Sequence, residues 1–158
     1  MAAADVSAVT ARIRNRIQSV TDVGLVWEHD LFARADLRSM LVSQIGGQPS
    51  LRAWWITGPT MTGRRMVTSP SGLLERTWVY RVCGVEGLDE SGSSLLTLRN
   101  LAVLVSDAID ADPTLANTCH RSQPCNWSVP PENRAAFAGV GVSYVEISKT
   151  VVTLSATS

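Results

Sequence analysis

Two hydrophobic rhythms lie side by side between Arg76 and Ala111. Over Arg76 to Glu86, Trp78, Tyr80 and Val82 alternate with Val79, Cys83 and Val85. A strand formed there is apolar on both faces, which predicts an inner strand or a strand at a subunit contact. After a polar turn, Leu88 to Ser94, the spacing changes: Leu98, Leu101, Ala102, Val105 and Ile109 fall at i, i+3, i+4, i+7 and i+11. That is one stripe of a helix running from Leu95 to Ala111. Leu96, Val103 and Leu104 project away from it. A helix apolar on more than one side needs more than one partner, and the expected second partner of a chain this short is a neighbouring subunit.

The same reading predicts a helix of about 15 residues capped by Asp5, with Val6, Val9, Ile13, Ile17 and Val20 on one side. A short strand follows over Val23 to Trp27, then a short helix over Asp30 to Ser43 that Gly46-Gly47 ends. Leu51 to Thr57 is a second strand, rich in aromatic and branched residues. Residues 58–72 carry glycine, proline, threonine, serine and the pair Arg64-Arg65, and read as an extended loop at the tip of a long hairpin. The long helix stops at Asp112-Pro113, because the residue before proline disfavours helical geometry.

Residues 114–139 form an irregular segment holding Pro124, Pro130 and Pro131, with only Asn126 to Val129 strand-like. The tail from Val140 to Leu154 alternates as one long strand, or two joined by a bulge, suited to pairing edge to edge with another chain. The expectation is a single domain over residues 1–158 of α/β character, in the α+β sense: a small mixed or antiparallel sheet with helices packed mainly on one face.

Composition narrows the function. A hydrophobic fraction of 45% and a charged fraction of 18% describe a globular chain. A formal net charge of zero argues against electrostatically driven nucleic-acid binding. All but one of the 14 cationic side chains are arginines, the exception being Lys149, which reads mainly as coding bias. No apolar run approaches the roughly 18 residues of a membrane span, and the N-terminus lacks the layout of a secretion signal, so a cytoplasmic site of synthesis is expected. Three cysteines, Cys83, Cys119 and Cys125, make no disulfide framework.

Signals of chemistry are sparse. His29 lies between Glu28 and Asp30, but neighbours on a strand point to opposite faces. Cys119, His120 and Cys125, with Cys83, offer soft ligands at a spacing that matches no common zinc pattern. Ser91-Gly92-Ser93 lacks a nucleophile elbow, and the glycine pairs lack a phosphate-loop pattern. Trp54, Trp55, Trp78 and Trp127 have no interleaved basic residues and read as core or interface. No catalytic residue, cofactor or metal site is expected. Asp107, Asp110 and Asp112 instead crowd the end of the long helix, where the dipole disfavours negative charge. They read either as a solvated end or as an acidic end aimed at a basic partner or a pore.

The order of elements resembles the tail terminator proteins of long-tailed bacteriophages. The likeness is carried by Leu51-Arg52-Ala53-Trp54-Trp55-Ile56-Thr57, by Tyr80-Arg81-Val82 leading into Gly87-Leu88-Asp89, by Asp112-Pro113-Thr114-Leu115, and by Val142-Ser143-Tyr144-Val145-Glu146-Ile147. It spans roughly residues 5–154, departing between Cys119 and Phe137. The resemblance implies a structural virion protein in a hexameric ring, sited at the head-proximal end of the tail. Such a ring stops tube polymerisation, meets the tail tube protein below and a neck or head-completion protein above, and lets DNA pass without sequence-specific binding. On this reading Leu96, Val103, Leu104, Arg64, Arg65 and Tyr144 meet neighbouring subunits, and Asp107, Asp110 and Asp112 line the channel. The alternatives are another neck or tail ring, either connector-completion or tube-like, and a small metal-dependent hydrolase using His29 or the cysteines.

Overall fold

The hairpin expected around residues 51–86 is longer than its alternation suggests. The computed structural model describes residues 6–28, 42–45, 48–67, 72–88, 93–129, 134–137 and 140–156. In chain order the elements are α1 (Val6–Gln18), β1 (Leu25–Trp27), β2 (Val42–Ile45), β3 (Gln48–Val67), β4 (Leu73–Gly87), α2 (Ser94–Asp110), β5 (Arg121–Ser122), β6 (Asn126–Ser128), β7 (Arg134–Phe137) and β8 (Val140–Ala156). The sheet runs β1-β3-β4-β8-β5, with β2 on β3 and both β6 and β7 on β8. Among the described residues only the β1–β3 pair is parallel. This is the mixed sheet that the residue pattern predicts, with two helices among the described residues.

β4 is an inner strand, as its two apolar faces require. It pairs with β3 from Arg52↔Glu86 to Val67↔Leu73 and with β8 from Gly87↔Val142 to Leu73↔Ala156. Residues 58–67 are therefore the distal half of β3 rather than a loop. Register shifts between Thr57 and Thr60 and between Met61 and Gly63 break the period of two, so the alternation that marks a strand is lost. Gly58 sits at the first shift with φ 92° and a cis bond to Pro59. The tip of the hairpin, residues 68–71, lies outside the described residues.

Two further expectations are corrected. The tail is not a free extension: β8 has β4 along one edge and β7, β6 and β5 along the other. A strand apolar on both faces, with Val142 on one and Val145 and Ile147 on the other, is buried most fully in the middle of its own sheet. Residues 114–139, read as irregular, contribute those three short strands. They follow a turn in which Leu115, Ala116 and Asn117 all have positive φ. The helix expected over Asp30 to Ser43 falls largely outside the described residues, and its last two positions, Val42 and Ser43, belong to β2.

Both helices pack on one face of the sheet. Val9, Ile13 and Ile17 of α1 and Leu98, Leu101, Ala102, Val105 and Ile109 of α2 close over Trp54, Ile56, Tyr80, Val82, Val145, Ile147 and Val151. Each large apolar side chain buried this way contributes about 1.5–3 kcal/mol. Trp54 occupies the centre, its indole donating to the Val23 carbonyl at 3.0 Å and its ring lying over Gly84, where any Cβ would strike it. The opposite face carries a smaller cluster of Ala53, Trp55, Cys83, Val85 and Val142, edged by Tyr144. Arg52 ties the sheet to the loop after α1: its guanidinium grips Glu86 at 2.5 and 3.0 Å and donates to the Asp22 carbonyl at 2.7 Å.

Candidate functional site

α2 has two apolar sides with different fates. The predicted stripe is buried in the core, whereas Leu96, Val103 and Leu104 are 62%, 43% and 52% exposed. Arg99, Asn100 and Asp107 share that outer side and are exposed as well. The sequence placed these three apolar residues away from the core correctly, because a helix of fixed period decides which positions face apart.

The second surface is the arm formed by the distal halves of β3 and β4 with the end of β8. Paired residues of an antiparallel ladder share a face. Met61, Arg64 and Met66 pair with Trp78, Arg76 and Leu74, which puts them on the face that the helices cover nearer the body. Met61 and Met66 are 47% and 57% exposed, and Arg64 is exposed. Sequence reasoning passed over both methionines because the segment read as loop. The only available signal was their shared spacing with Arg64 once one bulge is allowed.

The six residues expected at a subunit contact do not form one surface. Arg65 points to the other face of the arm, where its guanidinium bridges Glu75 at 2.7 and 3.3 Å, with Arg121 at 3.5 Å from the same carboxylate. The hydrogen bond from Arg65 holds the Glu75 carboxyl below its usual range. Tyr144 also lies on that face, half-buried and tilted against Trp55. Its hydroxyl reaches Cys83 Sγ at 3.1 Å and Glu146 at 3.2 Å. Burial first, and then the contact with Cys83, push the phenol pKa up.

The three aspartates separate too. Asp110 accepts from Lys149 Nζ at 2.6 Å and from the Cys125 amide at 2.9 and 3.1 Å. Asp112 accepts from Arg16 at 3.1 Å and from the Ala116 amide at 2.7 Å. Burial raises both carboxyls, but the cations and amides outweigh it, so both titrate below the ordinary value. These two side chains anchor the end of α2 to β8, to α1 and to the following turn, which is why negative charge is tolerated there. Asp107 alone of the three is exposed, and among the described residues it joins no ion pair.

The expected chemical candidates are dispersed. His29 lies outside the described residues. Cys119 and Cys125 flank the Lys149–Asp110 pair, and burial chiefly pushes their thiols up to about 11 and about 12. Among the described residues no group of three or more His, Cys, Asp or Glu converges to hold a metal ion. A depression of about 340 Å³ beside β5 is lined by Thr77, Arg121, Ser122, Gln123, Pro124 and Val152. Arg121, the charged group among its described lining residues, is already turned to Glu75. Among the described residues no helix is long and apolar enough to cross a membrane.

The chain matches no protein-family model, and no curated protein is similar to it in sequence.

Proposed function

We propose that this protein is a structural subunit of a phage virion: a closed, hexameric ring that caps the head-proximal end of a tail tube, ends its polymerisation and joins tail to neck. The reading supposes no catalysis and no cofactor. Its partners are further copies of the chain, the tail tube protein and a neck or head-completion protein, with DNA passing through the lumen.

The observation that supports this most directly is the outer side of α2, where Leu96, Val103 and Leu104 remain exposed although the helix is otherwise packed into the core. Scattered apolar residues are ordinary on a surface, but three on one helix side are a candidate contact for another protein. The three-stranded arm adds a second outlying surface, and two different surfaces on one chain are what a head-to-tail ring uses.

The test is the mass of the purified particle together with its images on tail tubes. A ring of defined mass seated on one end of a tube, with tube growth halted, is the expected result. A tube-like protein would itself grow into long polymers. A monomer at high concentration that ignores tube ends would end the reading.

A further inference from the structure

We infer that the C-terminal half of the exposed side of α2 in one copy seats on the helix-side row of the β3 arm in the next copy, an inference that rests on the ring reading above. The occupant of each surface is therefore a second copy of this chain, joined head to tail.

Three features of the molecule support the pairing. The first is continuity of layers. α1 and α2 cover the helix-side face of the sheet near the body, and the same face continues along the arm with Met61, Arg64 and Met66 open to solvent. A helix from a neighbour laid over the arm would extend the same helix-on-sheet packing that builds the core.

The second is charge. Among the described residues Arg64 joins no ion pair and Asp107 joins none. No basic side chain lies in the last turn of α2, so Asp107 adds to the negative end of the helix dipole. Arg76 lies beside Arg64 on the same face and donates to Ser155 at 2.6 Å, so that row of the arm is positive. Arg65, whose charge Glu75 meets, lies on the opposite face.

The third is spacing. From Val103 to Asp107 the helix rises about 6 Å, and from Met66 to Arg64 the strand advances about 7 Å. Leu104 and Val103 can rest on Met66 while Asp107 reaches Arg64. Arg99 then falls on the far side of Met66, away from Arg64. Because the two surfaces differ, the contact is heterologous, and repeated copies close into a ring when the rotation allows.

Complementation between two broken surfaces tests this. Leu104→Lys spoils the helix side and Met66→Lys spoils the arm, each at an exposed position, and the two lysines repel where the broken surfaces would meet. The expected result is that each variant alone runs as a monomer by light scattering, and that an equimolar mixture gives a 1:1 heterodimer and nothing larger, because one intact helix side and one intact arm remain. A second pair guards against misfolding: Arg64→Asp and Asp107→Arg each lose the wild-type oligomer, and the chain carrying both recovers it. If wild type is oligomeric and the single variants stay so, the inference falls while the ring reading stands. If the monomeric variants do not form a heterodimer, the contact joins like to like and the inference is overturned. A monomeric wild type would remove both.

Discussion

Lys149 Nζ lies 2.6 Å from Asp110 Oδ1, and the lysine is 1% exposed. The chain's one lysine is thus a buried cation on β8, held by a carboxylate on the last turn of α2 and by the Gln123 carbonyl at 2.8 Å. It fastens the long helix to the sheet and orders the turn-rich segment that follows, since the same carboxylate accepts from the Cys125 amide.

Removing the two partners should therefore cost different amounts. Asp110→Ala leaves a cation buried with no counter-charge and is expected to lower stability by about 3 kcal/mol or more. Lys149→Met removes the buried charge and leaves a part-exposed carboxylate that water can serve, so about 1–2 kcal/mol is expected. Urea unfolding of the two variants measures the difference. Equal losses would mean that the pair is not what anchors the helix end.

Acid should loosen the same region. The carboxyls of Asp110 and Asp112 titrate below their ordinary value of 3.8 in the folded chain. A group whose folded pKa is depressed contributes stability that is complete above its unfolded pKa and is lost as pH falls through the folded one. The melting temperature should hold from pH 7 to about 5 and then drop below about pH 4. Asp112→Asn should flatten that drop at the expense of stability at neutral pH.

Gly84 faces the Trp54 ring across the strand pair, and an added Cβ would meet that ring at 2.5–2.7 Å. The indole is fully buried and tied to the Val23 carbonyl, so it has little room to move. Gly84→Ala is expected to cost about 2–3 kcal/mol by overpacking. Its signature would be a shifted tryptophan emission together with a lower urea midpoint.

The cysteines should be silent in the native protein. With burial and the neighbouring Asp110 carboxylate pushing the Cys125 thiol up to about 12, the thiolate fraction at pH 8 is on the order of one in ten thousand. Cys83 and Cys119 are buried. A thiol-specific disulfide reagent should label the native chain far more slowly than the urea-unfolded chain. Asp110→Asn should speed the labelling of Cys125, which mass spectrometry of the labelled peptide would show.

What the residue order determined by itself is whatever a fixed period can express. The helical spacing of Leu98, Leu101, Ala102, Val105 and Ile109 named the buried side of α2 and, by exclusion, the exposed Leu96, Val103 and Leu104. The two-faced alternation around Trp78 and Val82 limited β4 to an inner strand or a strand at a subunit contact, and pairing with β3 and β8 chose the first. The tertiary structure alone decided the rest. Bulges at Thr57–Thr60 and Met61–Gly63 erased the alternation of the arm, so its strand state emerged only from pairing with β4. That pairing set Arg64 and Arg65 on opposite faces. The apparent cluster of aspartates dissolved because Asp110 and Asp112 find cations 39 and 96 residues away in the chain. Periodicity records which neighbours along the chain share a side, and it carries no information about which distant charge will be brought to meet them.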